Sequence, residues 1–587
     1  MRSRGLSPHS SSRASLREGL HLSRSRSFRR RFEAGLRGAR ALAIGLLASR
    51  SAHAAGEYAV IVNAENPVSE LSWKELVQVF KAERQYWSQG ERIELLLPRS
   101  STQEKGFLLD RVYGMTDSEL KRYWVELVFR NKIPDVPKSL PSAAVLAAVV
   151  SRTREAIALV DVEWLDQDSG VRVLAVDGKR PGESDYPLRD LGHREQPDFE
   201  LEDASAAIVR PFDDDEGAGR DDLERRVAGL EALIEGQGED AGFEDDRGFD
   251  LGPLFKLRGF MDVRFGARSI VTEAPGGDSS TDEFALGQLD LFVNSQLDER
   301  TSFLSEIVFD PKTDGSNVPN VERAILKHDL GDSVNIQAGR FHTTIGYWNE
   351  AYHHGEWLQT TIGRPQIVNF GGLGGVLPIH LIGVVLKART ETRAADFDTT
   401  VEIGNGRGPT RGSEQVRLDA NDVKALNVSV GISPGAVPGL RFGGGVYVDD
   451  IPPNTNAAKG PIHGTIDERI LSAFATYQRH DWQILAELFD IDHDDGSDAT
   501  SDGYYVQVGR RYGDWTPYVR LEGLHLDDGS TFFENRNDLE RTIAGLRWDL
   551  GTWHALKLQL ARSRTDAAPG SFDEDATELA VQWSYAF

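Results

Sequence analysis

The chain has 587 residues, with 92 acidic against 66 basic side chains, a net charge of −26 and a pI near 5. That length exceeds one hydrophobic core, and the charge argues against nucleic acid as a main partner. There is no cysteine, which argues against disulfides, thiolate metal sites, cysteine nucleophiles and a lipoprotein anchor.

Residues 1–54 read as an export signal. A basic region (Arg29, Arg30, Arg31, Arg37, Arg40) precedes the apolar run 41–48, and Ala52-His53-Ala54 fits a small-x-small cleavage pattern. Arg29-Arg30-Arg31-Phe32 resembles a twin-arginine signal. The ordinary secretory reading is preferred, because the twin-arginine route exports folded proteins.

Residues 55–190 read as a small α/β unit. Apolar strands are expected at 58–62, 93–97 and 156–160, and amphipathic helices at 73–80, 103–113, 117–129 and 143–151. Ser72 and Glu75 have the spacing of a capping box. Asn66-Pro67, Phe80, Trp87, Gly90, Trp124, Phe129 and Ala156-Ile157 give this stretch a resemblance to the substrate-binding protein of phosphate importers. It covers about one lobe of such a protein. The resemblance implies an anion grip at Arg99, Ser100, Ser101 and Thr102, although the family's glycine is replaced here by Ser101. The residues alone also allow these hydroxyls simply to cap a helix, leaving the lobe a docking role toward a periplasmic partner.

Residues 191–252 are acidic and read as a solvated linker. Within it Leu223, Val227, Leu230 and Ile234 have heptad spacing, so a short coiled coil is expected over 220–236, beneath a trimer. Two heptads are too short to hold alone.

From residue 253 onward the pattern has period two. Sixteen strands of about nine to fourteen residues are expected, from 255–268 to 575–587. Short turns (298–300, 331–332, near Arg393, His480, Asp514, 551–552) alternate with longer polar loops. That alternation is the signature of an antiparallel transmembrane barrel with short periplasmic turns. In the last strand Leu579, Val581, Trp583, Tyr585 and Phe587 share one face, expected to meet lipid; Lys557 and Gln559 are expected in the lumen. The fold class is therefore multi-domain: a C-terminal 16-stranded antiparallel β-barrel (253–587), a small N-terminal α/β domain and a coiled-coil linker.

The third long loop, within 341–378, is rich in His, Gly, Trp and Arg. With its flanks it reads GRFHTTIGYWNEAYHHGEWLQTTIGRP, which resembles the phosphate-selective and dicarboxylate-type porins of the bacterial outer membrane. The resemblance implies a homotrimer and a loop folded inward to narrow a pore for small anions; the acidic outer loops are expected to meet lipopolysaccharide through bridging divalent ions. Arg340, His342, His353, His354 and Arg364 are then the constriction candidates. Arg258, Arg264, Arg323, Lys327, Arg520 and Lys557 are candidate lumen cations that would favour phosphate or carboxylates. Acidic residues outnumber basic ones across this half, so pairing with Asp262, Asp290, Glu306 and Glu322 and weak selectivity is the competing reading. The His353-His354 pair offers two metal ligands without a third, which favours hydrogen bonding over a metal site. Asp490–Gly496 loosely resembles a calcium loop, with its Gly one position late and the distal Glu missing. No catalytic motif is present, so neither an enzyme nor a cofactor is expected.

Overall fold

The computed structural model describes residues 56–190, except 101 and 166–169, and residues 249–587, except 251–255, 273, 275–276, 312–316, 354, 409–420, 454–461, 497, 528, 534–535 and 568–571. The expected signal and coiled coil, and most of the linker, lie outside the described residues.

The lobe is a mixed six-stranded sheet with helices on both faces and a separate parallel pair of short strands. Its strands are β1 (Gly56–Asn63), β2 (Glu70–Leu71), β3 (Glu94–Pro98), β4 (Lys138–Leu140), β5 (Ala156–Asp161), β6 (Val171–Val173), β7 (Ala175–Val176) and β8 (Arg189–Asp190). The main sheet runs β4-β3-β5-β1-β6, with β1 antiparallel to β5 and β3 parallel to β5. The helices are α1 (Trp73–Phe80), α2 (Gln103–Phe107, continuing as a π-helical segment Leu108–Tyr113), α3 (Asp117–Phe129) and α4 (Ala143–Arg152). Alternation along the strands splits the core. Tyr58, Val60 and Val62 pack with Leu76, Phe80, Trp124 and Phe129 on one face, whereas Ile61, Ala158 and Val160 pack with Leu146 and Val150 of α4 on the other. Ser72 and Glu75 close a capping box on α1, and Thr116 and Glu119 do the same for α3. Asn131 then takes φ +55°, a left-handed conformation that asparagine tolerates, and turns the chain out of α3.

The barrel strands are β10 (Lys256–Thr272), β11 (Ser279–Gln296), β12 (Thr301–Pro311), β13 (Asn317–Asp329), β14 (Val334–His342), β15 (His380–Glu391), β16 (Ala395–Asn405), β17 (Ala425–Pro434), β18 (Leu440–Ile451), β19 (Ile466–Arg479), β20 (Trp482–Asp494), β21 (Asp498–Arg510), β22 (Trp515–His525), β23 (Asp538–Asp549), β24 (His554–Asp566) and β25 (Glu574–Ala586). Each is antiparallel to the next, and β10 pairs with β25, so the sixteen-stranded barrel closes. A two-residue strand β9 (Phe249–Asp250) adds to β10. At the seam Gly259 and Phe587 exchange both backbone hydrogen bonds, at 2.9 and 3.0 Å. A Cβ on Gly259 would lie 2.6 Å from the Asp290 carbonyl, so the close approach requires glycine.

Strand alternation sorts the two faces. Val263, Leu326, Ile336, Val384, Val446, Val519, Leu558 and Trp583 are exposed on the outside, while Asp290, Glu306, Arg323, Glu402, Glu487, Arg520 and Lys557 are buried inside. Large apolar side chains outside and charged ones inside invert a soluble protein and suit lipid. At the short-turn end Trp515 stacks on Trp548 with ring centroids 4.6 Å apart, a side chain type suited to the membrane interface. The first hairpin is longer than expected, because the polar run Ser279–Glu283 continues the β11 ladder beyond the apolar segment. Asp490–Asp494 is strand paired to β21 rather than a chelating loop, which removes the calcium-loop reading.

Candidate functional site: the filled lumen

Residues 343–379 connect β14 to β15 and fold into the barrel. The inner loop carries a short helix α5 (Trp348–Tyr352), and most of its side chains are buried. Side chains of the wall hold its backbone. The Glu487 carboxylate accepts from Tyr347 N and Trp348 N at 2.5 and 2.7 Å. Gly346, at φ +81°, passes so close that a Cβ would sit 2.1 Å from Glu487 Oε2. Glu402 accepts from Thr344 N and from Asn427 Nδ2. Arg547 donates to the carbonyls of Trp357 and Gln359, both at 2.7 Å. Gln559 accepts from Ile362 N, and Glu522 accepts from Gln366 N.

Two of the expected lumen cations serve the same purpose. Arg520 donates to Thr361 Oγ1 and to the carbonyls of Gly363 and Arg364. Lys557 donates to the carbonyls of Glu356 and Thr361. Arg364 itself lies inside the loop, donating to Val368 O and His353 O beneath the Phe370 ring, rather than lining open water. Arg340 donates to Glu322 O and sits 3.6 Å from the Glu322 carboxylate. His342 and His353 stack with centroids 3.6 Å apart, and His380, absent from the sequence-based candidates, packs against both. His354 lies outside the described residues. Arg264, half-exposed, is 3.9 Å from Glu578.

The remaining expected lumen cations meet the lobe. Residues 129–135, at the end of α3, enter the short-turn mouth of the barrel. Phe129 sits edge-on to Phe260 and Phe292 of the wall, at 5.3 and 5.7 Å. Phe260 in turn stacks on Trp357 of the inner loop, so one hydrophobic cluster runs from the lobe sheet to that loop. Arg323 pairs with Glu306, lies over the Phe129 ring and donates to Phe129 O at 2.6 Å. Lys327 donates to Asn131 O, and Arg258 pairs with Asp135 at 2.8 Å. Arg122 reaches Asp549 at 2.6 Å and lies over Trp357. Around the rim, Gln85 N donates to Asp332, Arg300 donates to Gly90 O, Lys74 and Gln78 meet Glu391, and Arg511 pairs with Glu119. The lobe thus packs on its own barrel, a contact that the expected docking toward a periplasmic partner did not include.

At the lobe's expected anion grip, Thr102 caps α2 by accepting from Lys105 N, and Ser100 donates to the Asp117 carboxylate. Lys121 pairs with Asp117 at 3.2 Å, and Lys105 lies 4.0 Å away. The Asp117 carboxylate thereby meets both Ser100 and the two lysines. Ser101 lies outside the described residues. Burial pushes the Lys105 ammonium down to about 8, with Asp117 opposing the shift.

Glu402, Asn427, Glu487 and Arg547 escaped the sequence reading, whereas Gln559 was expected in the lumen. Each is a polar residue at an inward position of an otherwise ordinary strand, and that parity was the signal available.

The fold defines the chain as a transmembrane β-barrel with an occupied lumen. No protein-family model and no curated protein matches it. Among solved structures it is similar to the anion-selective porin from Comamonas acidovorans, at 14% identity, over 57% of this chain and 99% of that one, with a TM-score of 0.41. It is also similar to the outer membrane channel DcaP of Acinetobacter baumannii (12%, 58% and 99%, TM-score 0.39) and to Pseudomonas putida OprB (10%, 57% and 94%, TM-score 0.40). At these values neither a solute nor the role of any residue carries over.

Proposed function

We propose that the chain is an outer-membrane porin for passive diffusion of small hydrophilic solutes, whose periplasmic mouth is closed by its own N-terminal lobe. The observation that carries this reading is the Phe129 wedge. A buried aromatic side chain from the lobe completes a ring cluster between the barrel wall and the inner loop. The short turns that the lobe touches belong, in a barrel of this kind, to the periplasmic side. The channel prefers small anions, phosphate among them, only weakly. Arg264, Arg323, Arg340, Arg520 and Lys557 supply positive charge, but all four arginines lie within 4 Å of a carboxylate. The assembly is a homotrimer in this proposal.

Planar-bilayer recording of the full chain tests the reading. Wild type is expected to show small or intermittent conductance, and Phe129→Ala combined with Arg122→Ala to show large, steady steps. Equal, steady conductance in both would remove the lobe from any part in closure. Reversal potentials of the double variant in a KCl gradient are expected to show a slight anion preference, reduced by Arg340→Ala. A cation-preferring pore would overturn the selectivity.

A further inference from the structure

We propose that His342, His353 and His380 form a binding site for one divalent transition-metal ion of the zinc class, which fastens the inner loop to the barrel wall. Three separate segments supply the ligands. His342 ends β14, His380 begins β15, and the two face each other as register partners. His353 follows α5 in the inner loop. One ligand atom from each lies within 4.8 Å of the other two, and all three side chains are buried.

Asn349 sets the orientation of His353. Its Nδ2 donates to Thr343 O at 3.0 Å and to Ile379 O at 2.9 Å, bridging the two strand ends. The amide oxygen is thereby turned to His353 Nδ1, 2.7 Å away. Arg364 Nη1 also stands 3.2 Å from Nδ1. With the hydrogen on Nδ1, as the shorter contact to the Asn349 oxygen requires, the lone pair resides on Nε2, the atom an imidazole offers to a metal when Nδ1 is held by a second-shell acceptor. Carboxylates stand ready as a fourth ligand. Glu322 Oε2 is 2.9 Å from His380 Nε2, and Glu306 Oε2 is 3.4 Å from His342 Nε2.

Three imidazoles and a carboxylate in a dry interior match zinc and its neighbours rather than calcium or magnesium, which take oxygen shells. Tetrahedral zinc with Zn–N of about 2.0–2.1 Å places its nitrogens roughly 3.4 Å apart. The ligands must therefore close slightly, and the stacked His342 and His353 rings must splay from 3.6 Å. Side-chain rotations suffice, because His353 sits on the loop rather than on the wall. In a chain without cysteine, such an ion supplies a cross-link that a disulfide cannot.

The test is titration of chelator-treated, full-length protein with Co2+. One equivalent is expected to bind, with the visible bands of a four- or five-coordinate nitrogen-ligated ion and displacement by Zn2+. His353→Gln should abolish the bands. Asn349→Ala, which touches no metal, should weaken binding by about 10–100-fold. Zn2+ should raise the melting temperature of wild type and not of His353→Gln. Failure of wild type to bind saturably overturns the site, and that result stands even if a variant misfolds. Equal binding by wild type and His353→Gln overturns it as well, leaving three histidines that only pack and hydrogen-bond.

Discussion

The inner loop fills the lumen and residues 129–135 of the lobe enter its mouth, but the two are held by different physics. The loop is tied by buried side chains that satisfy its own backbone groups, from Glu487 beneath Tyr347 and Trp348 to Arg547 at Trp357 and Gln359. Those backbone groups have no water to return to, so removing one partner strands the other. The lobe is held by the Phe129 wedge, by buried donors of the wall (Arg323, Lys327 and Arg258) that meet residues 129–135, and by a rim of pairs that remain partly exposed, such as Lys74–Glu391 and Arg389–Glu83. Rim groups released from their partners find water at once. The loop is therefore tied throughout by buried partners, whereas the lobe's contacts are buried at its wedge and exposed to water at its rim.

Glu487→Ala should break the comparison at its stronger side. It removes the acceptor of two buried N–H groups, each worth roughly 1–3 kcal/mol when left unsatisfied, for a loss on the order of 4 kcal/mol. The urea midpoint of the barrel in detergent should fall, and hydrogen exchange should accelerate over residues 343–379 while the lobe is unchanged. If exchange in the loop stays at the wild-type level, the loop does not depend on the wall.

The barrel and the address of the inner loop were legible because both rest on local chemistry. Period-two alternation, short turns and the aromatic last strand each reveal themselves within a dozen residues, as Leu558 outside and Lys557 inside illustrate. The occupied lumen was not legible. Arg323 looks like any lumen cation, and Phe129 like the last apolar residue of a helix; their contact joins positions 194 residues apart. Likewise His342 and His380 become partners only once β14 and β15 are paired across the loop. At the expected anion grip Ser100 and Thr102 suit a captured anion and a helix cap equally, and the Asp117 carboxylate that Ser100 meets comes from the next helix, out of reach of local reading.

Lys105→Met sharpens the comparison by separating the lobe's own stability from its docking. Lys105 is almost fully buried in the lobe, and burial lowers its pKa from 10.5 to about 8. The folded lobe thus gives up this proton before the unfolded chain does. The stabilisation of the neutral form is complete above about pH 10.5 and is lost as pH falls to 8. Below pH 8 the folded state carries a buried ammonium at a net cost of about 3 kcal/mol, with the attraction of Asp117 already offset against burial. The methionine variant should therefore protect α3 amides more than wild type at pH 7, with the advantage vanishing near pH 10.5, and should leave residues 343–379 unaffected. A pH-independent difference would assign the effect to packing rather than charge.

The smallest effect is expected at the rim. Lys74 Nζ is 3.1 Å from Glu391, but the lysine side chain is largely exposed, so Lys74→Ala should cost less than about 1 kcal/mol. Its value lies in salt dependence. If the rim steers the lobe, raising salt from low to physiological strength should open the wild-type channel more often, and the variant should respond less. The Phe129 wedge carries no charge and its contribution should persist at high salt. A channel whose open fraction ignores salt in both proteins would place the whole of the docking energy on the buried contacts, and the rim pairs would then serve only to orient the lobe as it enters.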